Sequence, residues 1–370
     1  MLNVNYHWDK LEACVVGKCY PPDFFNFIKE ASVRSALEKV AEETQEDLEK
    51  LAKLLTTFGV DVHRPSIADT VDTYTLGNKI LPPPITPRDH FGMVGNVFYM
   101  PTCDNGSKWR QLKGDSWPTK PPSNQFEFDN LPIEIKQELS EIWQITQVGD
   151  LYDFDFSTYK TLETYIRQTN NIVYDQQINS AMVLRLGKDL YFGTWPWQTE
   201  QQVLEHAHRI FPEYNCHVIN TQGHLDGCMS VVSPGLILSS NYINKSVYDQ
   251  LFPDYEVVYV NKPNVADPAF FRLKKQNQGN WWIKGQESNQ SLTNFIDSYL
   301  KSWTGLIEET IVGINLLHVD KHTVICVGED QQIFNKLKEY GVTAHPIEFR
   351  HFHFWDSGVH CLTNDISRIS

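Results

Sequence analysis

The chain has 370 residues, an apolar content of 41% and a formal net charge of −14, which allows one large domain or two ordinary ones with ample core. So acidic a chain offers no basic stripe to neutralise phosphates, which argues against a nucleic-acid partner while favouring the attraction of cationic ligands. No run approaches the length of a membrane span, and Met1 to His7 lacks the basic and apolar regions of a signal peptide, so a cytoplasmic protein without a membrane partner is expected.

The first unit along the chain starts at Ala13-Cys14-Val15-Val16-Gly17 and includes a long helix over 34–58. There Leu37, Val40, Leu48, Leu51 and Leu55 recur at three- to four-residue spacing, an apolar stripe that Gly59 stops. A second unit starts at His90-Phe91-Gly92-Met93-Val94, with Phe98-Tyr99-Met100 as its second strand. The third runs from Ala181 to Leu186, turns at Gly187-Lys188-Asp189, returns through Leu190-Tyr191-Phe192, and continues with a helix near 198–210 and a strand at His217-Val218-Ile219. The fourth pairs Met229–Val232 with Leu236–Leu238 across Ser233-Pro234-Gly235, then a helix over 245–252 and a strand over Glu256–Val260. The fifth takes Ile311–Leu317 and Thr323–Val327 as its hairpin, a helix over 330–340, and Thr343–Ile347 as its closing strand. The turns carry the Gly and Asp residues that short hairpin loops demand. Five copies of one strand–turn–strand–helix–strand unit predict a mixed α/β fold whose modules close a ring, with an ordinary mixed sheet as the plainer alternative. Residues 18–33, 103–170 and 262–305 do not fit the unit and read as ordered, aromatic-rich insertions in a single domain over 1–370.

Seven cysteines without clustered spacing speak against a disulfide framework or a Cys-x-x-Cys zinc site. Cys14, Cys228 and Cys326 lie in apolar runs and read as small core residues, whereas Cys361 lies among Gly, His, Thr, Asn and Asp. That polar setting suits a thiolate, and a distant histidine is the common base for one. In Gly223-His224-Leu225-Asp226-Gly227, an extended backbone would put His224 and Asp226 on one face, a base beside a carboxylate that suits a cationic substrate.

Taken in order, four motifs resemble the amidinotransferases, the glycine and inosamine-phosphate group of the guanidino-group-modifying pentein superfamily. Gly59-Val60-Asp61-Val62-His63-Arg64-Pro65 is similar to the family's Gly-Val-x-Val-x-Arg-Pro. Thr86-Pro87-Arg88-Asp89 with Val94-Gly95-Asn96 is similar to its Pro-Arg-Asp and Val-Gly-Asn. Gly223-His224-Leu225-Asp226 with Gly235–Ser239 resembles its His-x-Asp strand and hairpin, and Gly358–Asp365 its nucleophile motif Gly-x-x-His-Cys-x-Thr-x-Asp. The resemblance covers nearly the whole chain and implies a five-bladed α/β propeller. It also implies Cys361 as nucleophile, His224 as acid/base, and Asp89 and Asp226 as the carboxylates that hold a guanidinium. The implied reaction moves the amidino group of arginine to an amine through an amidino-cysteine, releasing ornithine. It involves small-molecule partners only and no metal or organic cofactor, and leaves room for a homodimer.

Three departures qualify that pattern. Where the family has the Asp that orients the histidine, an ungapped count back from Gly187 gives Asn179, with Asp175 as the substitute if the loop is shifted. Asn179 is therefore the third catalytic candidate: an amide can orient an imidazole but cannot stabilise an imidazolium. The hairpin after Ser239 lacks the arginine that binds the carboxylate of a glycine acceptor, Lys245 being the only cation in Asn241–Lys245, and Leu362 stands in place of Trp. Hydrolysis of arginine by the same cysteine, and arginine binding without turnover, are the alternatives. His351-Phe352-His353 with His360 and Cys361 has the composition of a metal cluster if His351 and His353 share a strand face, but no zinc-site spacing. His206 and His208 read as surface residues, and Trp195, Trp197, Trp281 and Trp282 as packing.

Overall fold

The computed structural model describes residues 4–67, 75–76, 79–80, 82–100, 159–162, 171–174, 180–195, 198–221, 223–241, 243–260, 281–300, 303–304 and 311–369. The fold is mixed α/β, with five three-stranded sheets and a short hairpin of Thr75–Leu76 with Lys79–Ile80. Each three-stranded sheet has a central strand that runs antiparallel to one neighbour and parallel to the other. In the first sheet Lys10–Val16 lies between Thr363–Ile369 and Asp61–His63. The second holds Gly92–Val94, Val97–Met100 and Asn171–Tyr174. The third holds Val183–Leu186, Asp189–Gly193 and Asn215–Ile219. The fourth holds Met229–Ser233, Leu236–Ser239 and Glu256–Tyr259, and the fifth Leu317–Asp320, Thr323–Val327 and Thr343–Ile347. No sheet closes on itself among the described residues.

A parallel pair needs a crossover, and helices supply it. Ala31–Thr57 serves the first sheet, Glu200–Ile210 the third, Lys245–Leu251 the fourth and Gln331–Glu339 the fifth. Local sequence sets where they start. Thr199 and Gln202 form a reciprocal capping box, and the Asp330 carboxylate accepts from the Gln332 and Ile333 amides. In Ala31–Thr57 the stripe Leu37, Val40, Leu48, Leu51 and Leu55 is buried against Cys14, Val16 and Trp281, each leucine contributing roughly 1.5–3 kcal/mol. Cys228 and Cys326 lie in two further apolar clusters, as their sequence settings imply. No described helix is long and apolar enough to cross a membrane.

Four local expectations are corrected. Ile311–Ile314 is a helical turn, and the strand begins only at Leu317; Gly313, at a φ of 103°, breaks the extended run. Leu225–Cys228 is likewise a helical turn, with His224 at its cap, so His224 and Asp226 do not share a strand face. Residues 352–355 also form a helical turn, which removes the strand face proposed for His351 and His353; His351 instead bonds Glu43 at 2.7 Å. His206 is buried, whereas His208 is exposed.

The helix Ala31–Thr57 also holds the approach to the candidate nucleophile. Its buried Asp47 receives the Arg350 backbone amide at 2.8 Å and the Arg350 guanidinium at 2.9–3.1 Å, and Thr44 Oγ1 accepts from Trp355 Nε1 at 2.9 Å. Just beyond, Asp356 takes a left-handed conformation (φ 49°) that turns the chain towards Gly358.

Candidate active site

The segment Gly358–Asp365 is held from below by charge. Asp365 is fully buried and receives Arg88 Nη2 at 3.1 Å, Arg185 Nη2 at 2.6 Å and Arg368 Nε at 2.8 Å. Burial alone would raise its pKa; the charges of Arg185, Arg368 and Arg88 overcome this and hold it well below the ordinary carboxylate range. Arg88 also donates through Nε to the His360 and Thr363 carbonyls at 2.8 and 3.1 Å. Asn364 Nδ2 donates to the Pro87 and Phe91 carbonyls at 3.2 and 2.6 Å. The Pro-Arg-Asp segment and the cysteine segment therefore interlock, and Asp89 is fixed beside the thiol loop by the backbone of its own motif.

Cys361 is 8% exposed. Its thiol donates to Asp226 Oδ2 at 3.5 Å, and the same oxygen accepts from His360 Nδ1 at 2.6 Å. Burial and the Arg88 charge push the His360 pKa down to about 4 against the pull of Asp226, so at neutral pH this imidazole is a neutral donor. For Asp226, burial acts upward but is outweighed by the His360 hydrogen bond with His224 and Arg88 nearby, and the net shift is downward. The second Asp226 oxygen, Oδ1, is buried without a hydrogen-bond partner among the described residues.

His224 stands at the cap of its helical turn, on a loop stapled by Thr221. Thr221 Oγ1 donates to the Gly223 carbonyl at 2.7 Å and accepts from the Thr194 amide at 3.1 Å. The Trp195 ring meets the imidazole edge-on at 5.1 Å, so it borders the site as well as packing. His224 Nε2 is 3.9 Å from Asp89 Oδ1. Four of the five residues expected from the sequence thus form two pairs, Cys361 with Asp226 and His224 with Asp89. Asn179 and its substitute Asp175 lie outside the described residues. A thiol, an imidazole and two carboxylates suit a planar cation: the carboxylates receive its N–H fork, the thiol faces its carbon, and the imidazole handles a proton.

Asn315 was missed in the sequence. Its Nδ2 donates to Cys361 Sγ at 3.0 Å and its Oδ1 accepts from the His360 and Cys361 amides at 2.9 and 3.1 Å. A lone amide in the apolar run Ile311–Leu317 was the available signal. Gly358 is required by the same residue, because a Cβ there would lie 2.6 Å from Asn315 Oδ1. Of the departures from the family pattern, Leu362 is fully buried in the main core. Lys245, on an exposed helical face, is ion-paired with Asp249.

No protein-family model matches the chain. Among curated proteins it is similar to the mitochondrial glycine amidinotransferase of Xenopus laevis, at 21% identity over 392 aligned residues spanning 98% of this chain and 81% of the relative. It is also similar to inosamine-phosphate amidinotransferase 1 of Streptomyces griseus, at 21% over 420 aligned residues, 100% of this chain and 97% of the relative. The solved inosamine-phosphate amidinotransferase of Streptomyces griseus superposes with a TM-score of 0.61 at 17% identity, covering 100% of this chain and 97% of that one. An amidinotransferase of the saxitoxin biosynthetic pathway from Microseira wollei gives 0.62 at 16%, covering 100% and 98%. The resemblance carried by the motifs therefore extends over the whole chain, and the mixed α/β fold is that of these amidinotransferases.

Proposed function

We propose that this chain is an amidinotransferase that moves the amidino group of arginine to an amine acceptor through Cys361. The observation that carries this reading is the Cys361 thiol lying against Asp226, a buried carboxylate whose second oxygen has no partner among the described residues. Similarity to two curated amidinotransferases supports it. In this reading Asp226 and Asp89 receive the guanidinium, the Cys361 thiol gives its proton to His224, and the sulfur adds to the central carbon. The bond from that carbon to the ornithine nitrogen then breaks as His224 protonates the departing amine. The acceptor amine attacks the amidino-cysteine and gives its extra proton to His224, the carbon–sulfur bond breaks, and His224 returns that proton to the departing Cys361 thiolate. Asn179 is assigned the orientation of His224.

The proposal includes the five sheets as blades of one α/β propeller over residues 1–370, and bonds at each junction support it. Asn364 to the Phe91 carbonyl links the first sheet to the second, and Arg185 Nη1 to the Met93 carbonyl, at 2.7 Å, the second to the third. The His7 imidazole lies between the Arg185 and Val231 carbonyls, of the third and fourth sheets, and as a neutral ring donates to one of them. His318 Nε2 reaches the Val232 carbonyl at 3.0 Å, and Arg368 Nη2 the His318 carbonyl at 3.0 Å, linking the fourth sheet to the fifth and the fifth to the first.

A hydrolase, with water resolving the same intermediate, is the second reading. The pairing of Lys245 with Asp249, which occupies the one cation of the acceptor hairpin, favours it. Guanidino-labelled arginine with a panel of amines, analysed by mass spectrometry, separates the two. Ornithine plus a new guanidino compound means transfer, and citrulline or ammonia means hydrolysis. Arginine alone should add about 42 Da to the peptide containing His360 and Cys361, and Cys361→Ala should abolish both adduct and turnover. Saturable binding without product, or an adduct on another cysteine, would overturn the proposal.

A further inference from the structure

Asn315 uses its whole hydrogen-bonding capacity on the thiol loop and the turn that carries Asp226. An asparagine side chain offers two acceptor sites and two donors. Oδ1 takes the His360 and Cys361 amides, and Nδ2 faces the Asp226 carbonyl at 3.4 Å and Cys361 Sγ at 3.0 Å. The amide orientation follows from the partners: turned over, its NH2 would face two N–H donors. The sulfur therefore sits between an acceptor, Asp226 Oδ2, and a donor, Asn315 Nδ2. A carboxylate 3.5 Å away opposes ionisation of the thiol, so a thiolate here needs a compensating donor.

We propose that Asn315 is a catalytic residue that stabilises the Cys361 thiolate through its Nδ2–H and fixes the sulfur's direction by clamping the amides of His360 and Cys361. This assignment rests on the reading of Cys361 as the nucleophile. The charged and titratable groups around the sulfur are Asp226 on the helical turn, His224 at the cap of that turn with Asp89 beside it, His360 on the thiol loop and turned onto Asp226, and Arg88 behind the loop, bonded to the His360 carbonyl.

The test is the pH profile of Cys361 alkylation by iodoacetamide in the unliganded full chain, followed on the Cys361 peptide, with thermal midpoints recorded in parallel. A hydrogen bond to a charged group is worth roughly tenfold to a hundredfold in an equilibrium. Asn315→Ala should therefore slow alkylation at neutral pH by about that factor and move the profile to higher pH. Asn315→Asp has the same shape and keeps an acceptor for the two amides, yet sets a carboxylate against the sulfur. It should move the profile at least as far, which keeps the test decisive if the alanine variant does not fold. A profile that overlays the wild type, even with activity lost, would overturn the proposal, as would an Asn315→Asp chain that fails to fold. Because alkylation needs no arginine, failure of arginine to label Cys361 would remove the transfer reading and leave these profiles to judge Asn315 separately.

Discussion

The Cys361 loop and the His224 turn meet across one site but are held by different means. Around Cys361 the loop is bonded at nearly every residue: Asn315 takes two of its amides, Arg88 two of its carbonyls, and Thr363 Oγ1 donates to the Val359 carbonyl at 2.7 Å. His224 has a side chain 21% exposed, and its separation of 3.9 Å from Asp89 is an ion-pair distance beyond hydrogen-bond reach. In the proposed reaction this contrast would match the two roles assigned to Cys361 and His224. A nucleophile gains from a fixed line of attack, whereas a group that exchanges protons with a departing and an arriving amine needs access and some freedom.

The sharpest way to break the fixed side is from beneath. Asp365→Ala leaves Arg88, Arg185 and Arg368 buried around a missing carboxylate, and removing one partner of a buried ionic cluster costs about 3–5 kcal/mol. Chemical denaturation should show that loss, with thiol reactivity disturbed as well. Acid should act next, through histidines buried as neutral rings. Burial pushes His7 and His90 down to about 3, although the Val231 and Arg185 carbonyls act in the opposite direction on His7. Below the ordinary histidine pKa of about 6.5, the unfolded chain binds protons that the folded chain refuses, so stability falls as pH drops. The decline should begin near pH 6.5 and continue towards 3, by up to about 1.4 kcal/mol per pH unit for each ring. Urea midpoints between pH 7 and 4.5 would check it, and a flat profile would mean that these rings are not held neutral. The smallest effect is expected from the residue assigned to orient His224. Asn179→Asp should raise turnover, by about 1 kcal/mol or more of barrier, if a carboxylate pairs with the His224 imidazolium, and lower it if the site is built around the amide. We expect loss. Unchanged transfer and citrulline rates would take Asn179 out of the site and bring Asp175 forward.

Local signals made much of the fold legible. The hairpins at Gly187-Lys188-Asp189 and Ser233-Pro234-Gly235 and the stripe from Leu37 to Leu55 follow from turn chemistry and periodicity, which neighbouring residues carry. The errors arose where distant partners decide. Residues 311–317 are apolar enough for a strand, but Gly313 turns the chain and Asn315 is claimed by a loop more than forty positions on. His224 and Asp226 were expected on a strand, yet they pair with Asp89 and Cys361 from a helical turn. Arg88 and Asp365 stood inside recognised motifs without any visible role, because charge compensation between residues 277 positions apart leaves no local pattern.

One pairing described above also governs when the site can come into being. The strand that follows the cysteine, Thr363–Ile369, lies antiparallel on Lys10–Val16, with Cys14 opposite Asp365 and Val16 opposite Thr363. Joining segments about 350 positions apart carries a large loop-closure cost, recovered only when the intervening structure has condensed. During synthesis Lys10–Val16 emerges about 350 residues ahead of its partner strand and must wait for it, so the Asp365 cluster and the thiol above it are completed only after that strand arrives. Until then the bonds that Asp226 and Asn315 make to Cys361 have no fixed frame, so any reactivity they confer would report a finished topology.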